Sequence, residues 1–207
     1  MKVLLINGSA RKDGNCYSAL QEVAKTLQNC GIDSEIVQIG MKPVRGCIAC
    51  GKCVEMGKNK CVFDDDICNS TSKRMSECDG LIVASPVYYG QPNGSVLSLF
   101  QRMFFSAGIY FKRKPAAAIA VCRRGGATAA YQTLNMPFEM MNMPVVTSQY
   151  WNIVYGRDKG EAMLDKEGMQ TMRTLAKNMA WLLKKIHASE TPEYPLDEAY
   201  DRMNFIR

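Results

Sequence analysis

The sequence predicts an α/β fold with a five-stranded parallel sheet covered by helices on both faces. Three observations lead there. Five short apolar runs, at residues 3–6, 34–39, 80–85, 116–122 and 144–150, lack the strict apolar–polar alternation of half-exposed strands. Segments with helical periodicity separate them, as a parallel sheet requires. The loops after the first, third and fourth runs, GSARKDGN, SPVYYGQPNG and CRRGGAT, are the chemically unusual ones. All three follow the carboxyl end of a strand, so they converge at one sheet edge, where ligands of such folds bind.

In chain order, Val3, Leu4, Leu5 and Ile6 form the first strand, and Asn7-Gly8-Ser9 stops it. A helix starts near Ser18, with Leu20, Val23, Ala24 and Leu27 on its apolar side and Gly31 as its stop. Residues 42–66 have no clear periodicity. Asp64-Asp65-Asp66 reads as the start of a helix reaching about Cys78, with acids at the positive dipole end. After the third strand and its turn-rich loop, Val96, Leu97, Phe100, Met103 and Phe104 mark a helix ending near Gly108. Residues 128–142 follow as a helix that Pro137 kinks or splits. In the last helix, Met169, Met172, Leu175, Ala176, Met179, Leu182, Leu183 and Ile186 form a core-facing stripe. Residues 188–207 read as a polar arm over the surface or a partner subunit, anchored by Tyr194, Tyr200 and Phe205.

The 207 residues suit one domain of about 1–187 plus that arm. Nothing approaches the ~20 apolar residues that span a bilayer. The start enters a strand directly, without a signal pattern, so a cytoplasmic location is expected. The net charge of +6 is scattered rather than striped, which argues against nucleic acid and suits small anionic ligands. The single histidine, His187, reads as a partner for a helix C-terminus, and with no other histidine to serve as base this argues against a Ser–His or Cys–His hydrolase.

A buried strand running through a Gly- and hydroxyl-bearing loop into a helix start is an anion site, because free N–H groups and the positive dipole end face the incoming charge. Ser9, Asn15 and Ser18 offer side-chain donors there and Arg11 a fixed charge. The loop is neither GxxxxGK[ST] nor GxGxxG, which disfavours nucleoside triphosphates and dinucleotides and leaves a single terminal phosphate. A merely well-capped strand–turn–helix is the alternative reading of this segment alone.

Cysteine supplies the second signal. Five of the nine, Cys16, Cys30, Cys68, Cys78 and Cys122, are scattered and read as small buried hydrophobes. Cys47, Cys50, Cys53 and Cys61 instead form C-x2-C-x2-C-x7-C within a loop at 46–62. Four thiolates hold [4Fe–4S] clusters or zinc. Zinc usually takes two separated C-x2-C pairs, so three cysteines in x2 steps favour the cluster. Zinc, an empty loop and an oxidation-sensitive thiol set stay open.

Taken together, GSARKDGN after the first strand, SPVYYGQPNG before an apolar helix, and the Gly-Gly loop resemble the flavodoxin-like NADPH-dependent FMN reductase family over about residues 1–187. The resemblance implies a flavodoxin-like three-layer sandwich. It implies that Ser9, Arg11, Asn15 and Cys16, with Ser18 nearby, surround the FMN phosphate. Cys16 stands where relatives usually carry Thr or Ser, so that hydroxyl is lost. Pro86, Val87, Tyr88 and Tyr89 would hold the isoalloxazine ring, Gly90 would let the turn pass close, and Arg124, Gly125 and Gly126 would lie along the pyrimidine edge. Flat side chains and backbone donors suit a tricyclic ring, and positive charge near the pyrimidine edge stabilises its reduced anion.

The cysteine run and the later SQYWNIVYG at 148–156 resemble the iron–sulfur flavoprotein branch of the same family. There Cys47, Cys50, Cys53 and Cys61 would ligate a [4Fe–4S] cluster near the FMN, in a homodimer or homotetramer. Trp151 and Asn152 would touch flavin or a neighbouring subunit, or pack in the core. The expected function is an FMN-dependent oxidoreductase or electron-transfer flavoprotein, without a catalytic side chain, fed by NADPH, NADH or ferredoxin and serving a small molecule or protein. A cluster-free NAD(P)H:quinone or FMN reductase, a non-enzymatic electron carrier or redox-sensing module, and a zinc-binding structural protein are the alternatives.

Overall fold

In a computed structural model of the chain, the described residues are 1–188, 190, 193, 194 and 198. The elements run β1 (Lys2–Asn7), α1 (Asn15–Asn29), β2 (Asp33–Gln38), α2 (Lys52–Met56), α3 (Cys68–Ser76), β3 (Gly80–Tyr88), β4 (Gln91–Pro92), α4 (Gly94–Ala107), β5 (Ala116–Cys122), α5 (Ala127–Met140), β6 (Ile153–Tyr155) and α6 (Lys166–Ile186). Short 3₁₀ turns follow α4 at Gly108–Tyr110 and precede α6 at Glu161–Leu164.

Five strands pair in parallel in the order β2-β1-β3-β5-β6, and the two-residue β4 folds back antiparallel on the end of β3. With β4 set aside this is the flavodoxin-like order, whose switch point lies between β1 and β3. Alternate residues of β1 enter opposite cores. Leu4 and Ile6 pack with α3, α4 and α5, while Val3 and Leu5 pack with α1 and α6. The apolar runs carried no alternation because both faces of the sheet are buried.

Two sequence expectations are corrected. The fifth strand is Ile153–Tyr155, not 144–150. Val145 makes one isolated parallel bridge to Ala116, and then the chain leaves the sheet. Pro144 has no N–H for a ladder, and the Ser148 hydroxyl donates to the Tyr150 carbonyl at 2.6 Å, a local bond that competes with strand pairing. The chain returns at Asn152. Its carbonyl accepts from the Ala120 N–H at 3.0 Å and its Nδ2 donates to the Ala118 carbonyl at 3.1 Å. Asn152 is therefore core, whereas Trp151 is exposed beside Tyr150.

The second correction is α5, which Pro137 does not split. The helix forgoes only the one bond that an N–H at Pro137 would make to the Thr133 carbonyl. Smaller differences are boundaries: α1 begins at Asn15, and α3 ends at Ser76. His187 follows α6 as expected, 3.5 Å from Asp79. Of the expected arm anchors, Tyr194 donates to the Arg113 carbonyl at 3.2 Å and lies under its guanidinium. Tyr200 and Phe205 fall outside the described residues.

Candidate functional site

The β1–α1 loop is built by polar side chains that leave a helix start free. The Asn7 side chain accepts from the Ser9 N–H and donates to Gln38 Oε1, and Gln38 in turn donates to the Ser9 carbonyl. Ser9 Oγ accepts from the Arg11 N–H at 3.1 Å. Gly8 donates to the Ala84 carbonyl, locking β1 to β3. A Cβ there would lie 2.4 Å from Val96 Cγ2 and 2.7 Å from the Ala84 oxygen, so only glycine allows the approach.

The N-cap of α1 is Gly14, and no side chain caps the helix or places an acid in its first turn. The N–H groups of Asn15, Cys16 and Tyr17 precede the first helical bond, which Ser18 makes to Gly14. Fifteen residues of helix thus present an open positive end.

This end opens on a cavity of about 200 Å³. Ser9, Arg11, Gly14, Asn15, Cys16, Pro86, Val87 and Tyr88 line it. Val121, Cys122, Arg123, Gly156 and Arg157 complete the wall. Three arginines and no carboxylate face the space. Pro86 and Val87 are half-buried and Tyr88 exposed, which gives the cavity a flat apolar side.

Beyond it, Tyr89 and Gly90 both take positive φ, 51° and 77°. Gly126, at φ 86°, abuts that turn so closely that a Cβ on it would sit 2.8 Å from Gly90 Cα. The loops after β3 and β5 therefore touch backbone to backbone. Asn93 ties the first to them: its Nδ2 donates to the Gly8 carbonyl at 2.7 Å, and its N–H donates to Ser85 Oγ at 2.9 Å.

Of the thirteen residues expected at a cofactor, seven line this cavity: Ser9, Arg11, Asn15, Cys16, Pro86, Val87 and Tyr88. Tyr89, Gly90 and Gly126 adjoin it where the two loops meet, Arg124 and Gly125 follow the lining residue Arg123 in the chain, and Ser18 sits one turn along α1. Two details differ from the sequence reading. The Asn15 side chain braces the protein, donating to the Asp158 carbonyl at 3.0 Å and accepting from the Ala162 N–H at 3.2 Å. The Cys16 thiol is fully buried, and desolvation raises its pKa far above the ordinary value, so this position offers its backbone N–H alone.

Sequence reasoning missed the contribution of the turn after β6. Asn15, the ion pair of Lys159 with Asp13, and the Glu161 carboxylate accepting from the Arg157 and Asp158 N–H groups fold that turn onto the β1–α1 loop. Those two N–H bonds hold the Glu161 carboxyl below its usual pKa. Arg157 reaches the cavity only through this fold. The signal was Gly156, where a Cβ would meet Asn15 Nδ2 at 2.7 Å.

The four clustered cysteines line one separate small cavity of about 20 Å³, with Phe63, Arg102, Phe105 and Ser106 among its other walls. Cys47 and Cys50 are exposed, Cys53 is half-buried and Cys61 is buried. Ala49 and Gly51 take positive φ, 52° and 72°, which coils the x2 steps tightly. No group of three or more His, Cys, Asp or Glu among the described residues is arranged to hold a metal ion. The donor set facing the cavity is nonetheless all thiol, without carboxylate or imidazole, which fits a soft iron–sulfur or zinc centre. Of the scattered cysteines, Cys68 behaves as core: burial pushes its thiol up to about 12.

A parallel sheet in this order, with an open helix start beside its switch point, defines a flavodoxin-like protein. The model of the NADPH-dependent FMN reductase family matches residues 1–158, and the chain belongs to that family. It is 32% identical over 194 residues to an iron–sulfur flavoprotein of Methanocaldococcus jannaschii, covering 90% of this chain and 99% of the relative. The iron–sulfur flavoprotein of Methanosarcina thermophila is 31% identical over 192 residues, covering 90% and 97%. Within the family the chain falls in this iron–sulfur flavoprotein branch. A solved flavodoxin from the Archaea superposes with a TM-score of 0.61 at 12% identity, over 89% of this chain and 99% of that chain, a likeness of fold. No helix among the described residues is long and apolar enough to cross a membrane.

Proposed function

We propose that this member of an oxidoreductase family binds FMN in the cavity at the strand ends and a [4Fe–4S] cluster in the cysteine cavity. The observation that carries the reading is the uncapped start of α1 opening on a cavity with three arginines and no acid. A terminal phosphate suits the N–H groups of Asn15, Cys16 and Tyr17, with Ser9, Arg11 and Arg157 around it. Pro86, Val87, Tyr88, Tyr89 and Gly90 offer a flat face for the ring. Arg124, Gly125 and Gly126 would border its pyrimidine edge, where positive charge favours the reduced, anionic form.

FMN supplies redox chemistry in one- and two-electron steps, and a [4Fe–4S] cluster held by Cys47, Cys50, Cys53 and Cys61 supplies a one-electron centre. The protein's own part is placement and electrostatics, and no side chain is needed as acid or base. The electron donor is NADPH, NADH or a ferredoxin-like protein, and the acceptor a small molecule or protein. Exposed Phe105, Ile109, Met136 and Met140 support assembly with further copies as a dimer or tetramer.

Anaerobic purification followed by an absorption spectrum and counts of FMN, iron and sulfide tests this. The expected result is FMN with iron and sulfide in equal amounts. Colourless protein that ignores added FMN would overturn the flavin reading. Flavin without iron, with steady NADPH-to-quinone turnover, would instead establish the cluster-free reductase.

A further inference from the structure

One buried cation organises the cysteine cavity. Arg102, in the third turn of α4, is 1% exposed. A guanidinium so buried needs a partner for every donor it can supply. Its Nε donates to Cys61 Sγ at 3.3 Å. Its Nη1 pairs with the buried Asp66 carboxylate and donates to the Arg45 carbonyl at 3.4 Å. Its Nη2 donates to the Phe63 carbonyl at 2.8 Å.

Those partners flank the cysteine segment. Arg45 comes two residues before Cys47, and Cys61, Phe63 and Asp66 close the far end. Asp66 also accepts from the Arg45 and Cys68 N–H groups at 3.2 and 2.9 Å, so its carboxylate joins both ends to the guanidinium. The neighbouring Gln101 accepts from the Cys47 N–H at 3.4 Å. A single side chain of α4 thus pins the loop's two ends and places a charged donor on one of the four sulfurs. By contrast, Cys47 Sγ accepts from the Ala49 N–H within the loop itself.

We propose that Arg102 is the positioning residue of the metal centre. It fixes Cys61 as the anchored fourth ligand and, through its N–H to sulfur bond, favours the reduced, more negative state of the centre. The inference rests on the cluster reading above. Hydrogen bonds to ligand sulfurs raise the potential of such centres, and partners outside the ligand set orient it.

The test uses anaerobically isolated holoprotein, as wild type, Arg102→Lys and Arg102→Gln. Iron and FMN per chain are counted, and the cluster's midpoint is read by redox titration with electron paramagnetic resonance. Lysine keeps a charge for Asp66 but lacks the planar fork that reaches sulfur and carbonyls together. The expected midpoint falls in both variants. In Arg102→Gln the oxidised-to-reduced equilibrium moves by about tenfold, which is about 59 mV for one electron. FMN content stays at the wild-type level, and iron content drops more in Arg102→Gln than in Arg102→Lys.

Wild-type protein with FMN but no iron would sink the cluster reading and this inference with it. Iron-loaded wild type with an unshifted midpoint in Arg102→Lys would sink the inference alone, even if Arg102→Gln fails to fold.

Discussion

The two cavities are built by opposite means. The one at the strand ends is shaped mainly by backbone, with polar side chains bracing its loops: an open helix start, glycines at close approaches and two loops in backbone contact. Its arginines stand around the rim in solvent. The cysteine cavity is made by side chains, with one buried guanidinium holding loop ends that sequence separates by about twenty residues. The first is largely a consequence of topology, since β1, β3 and β5 bring three loops to one edge and the turn after β6 completes the wall. The second depends on a few polar contacts and is the more breakable.

The largest expected effect follows from that dependence. Arg102→Met leaves the Asp66 carboxylate buried without its cation, which costs about 3–5 kcal/mol of stability. Urea unfolding would measure it. A loss below about 1 kcal/mol would mean that water replaces the guanidinium and that the loop does not hang on this pair. At the other cavity, Gly8→Ala forces a methyl into Val96 and the Ala84 carbonyl. The expected cost is about 1–3 kcal/mol, with weakened FMN binding, because the phosphate loop must shift. Unchanged FMN affinity in a folded Gly8→Ala would show that the loop's position is not critical.

A third prediction separates the cavities by charge. Arg11→Gln and Arg157→Gln should each weaken FMN binding about tenfold and leave iron content alone, since both line the first cavity and neither reaches the second. Fluorescence titration of the flavin reads this directly. An effect of Arg11→Gln alone would mean that the turn after β6 has no part in binding.

The smallest effect concerns that same turn. The Glu161 carboxyl is held below its usual pKa by the Arg157 and Asp158 N–H groups. A depressed carboxylate contributes above its unfolded pKa and is lost as pH falls through the lower folded value. FMN affinity should therefore slacken slightly on acidification below the ordinary carboxylate range, and Glu161→Gln should flatten that part of the profile. An identical profile in both proteins would remove Glu161 from the account.

The same contrast explains what the sequence could disclose. Apolar runs and loop order identified the sheet and the loops that carry Ser9, Arg11, Pro86, Val87 and Tyr88, because topology alone gathers them, while the start of α1 was read near Ser18 rather than at Asn15. The four cysteines were legible from spacing. Arg102 was not: within an amphipathic helix it reads as one more charged residue, and only its burial against Cys61 and Asp66 reveals it. Arg157 was hidden likewise, since Asn15, Lys159 and Glu161 must first fold its turn. The fifth strand was misplaced because residues 144–150 have strand-like composition, while the Ser148 and Asn152 side chains redirect the hydrogen bonds.

The most direct measurement compares FMN with riboflavin, which has the same ring and no phosphate, in titrations of flavin-stripped protein. If the helix start, Arg11 and Arg157 receive the phosphate, FMN binds at least about a hundredfold more tightly, and salt narrows the difference. Equal affinities for the two flavins, or binding of neither, would contradict the assignment of this cavity.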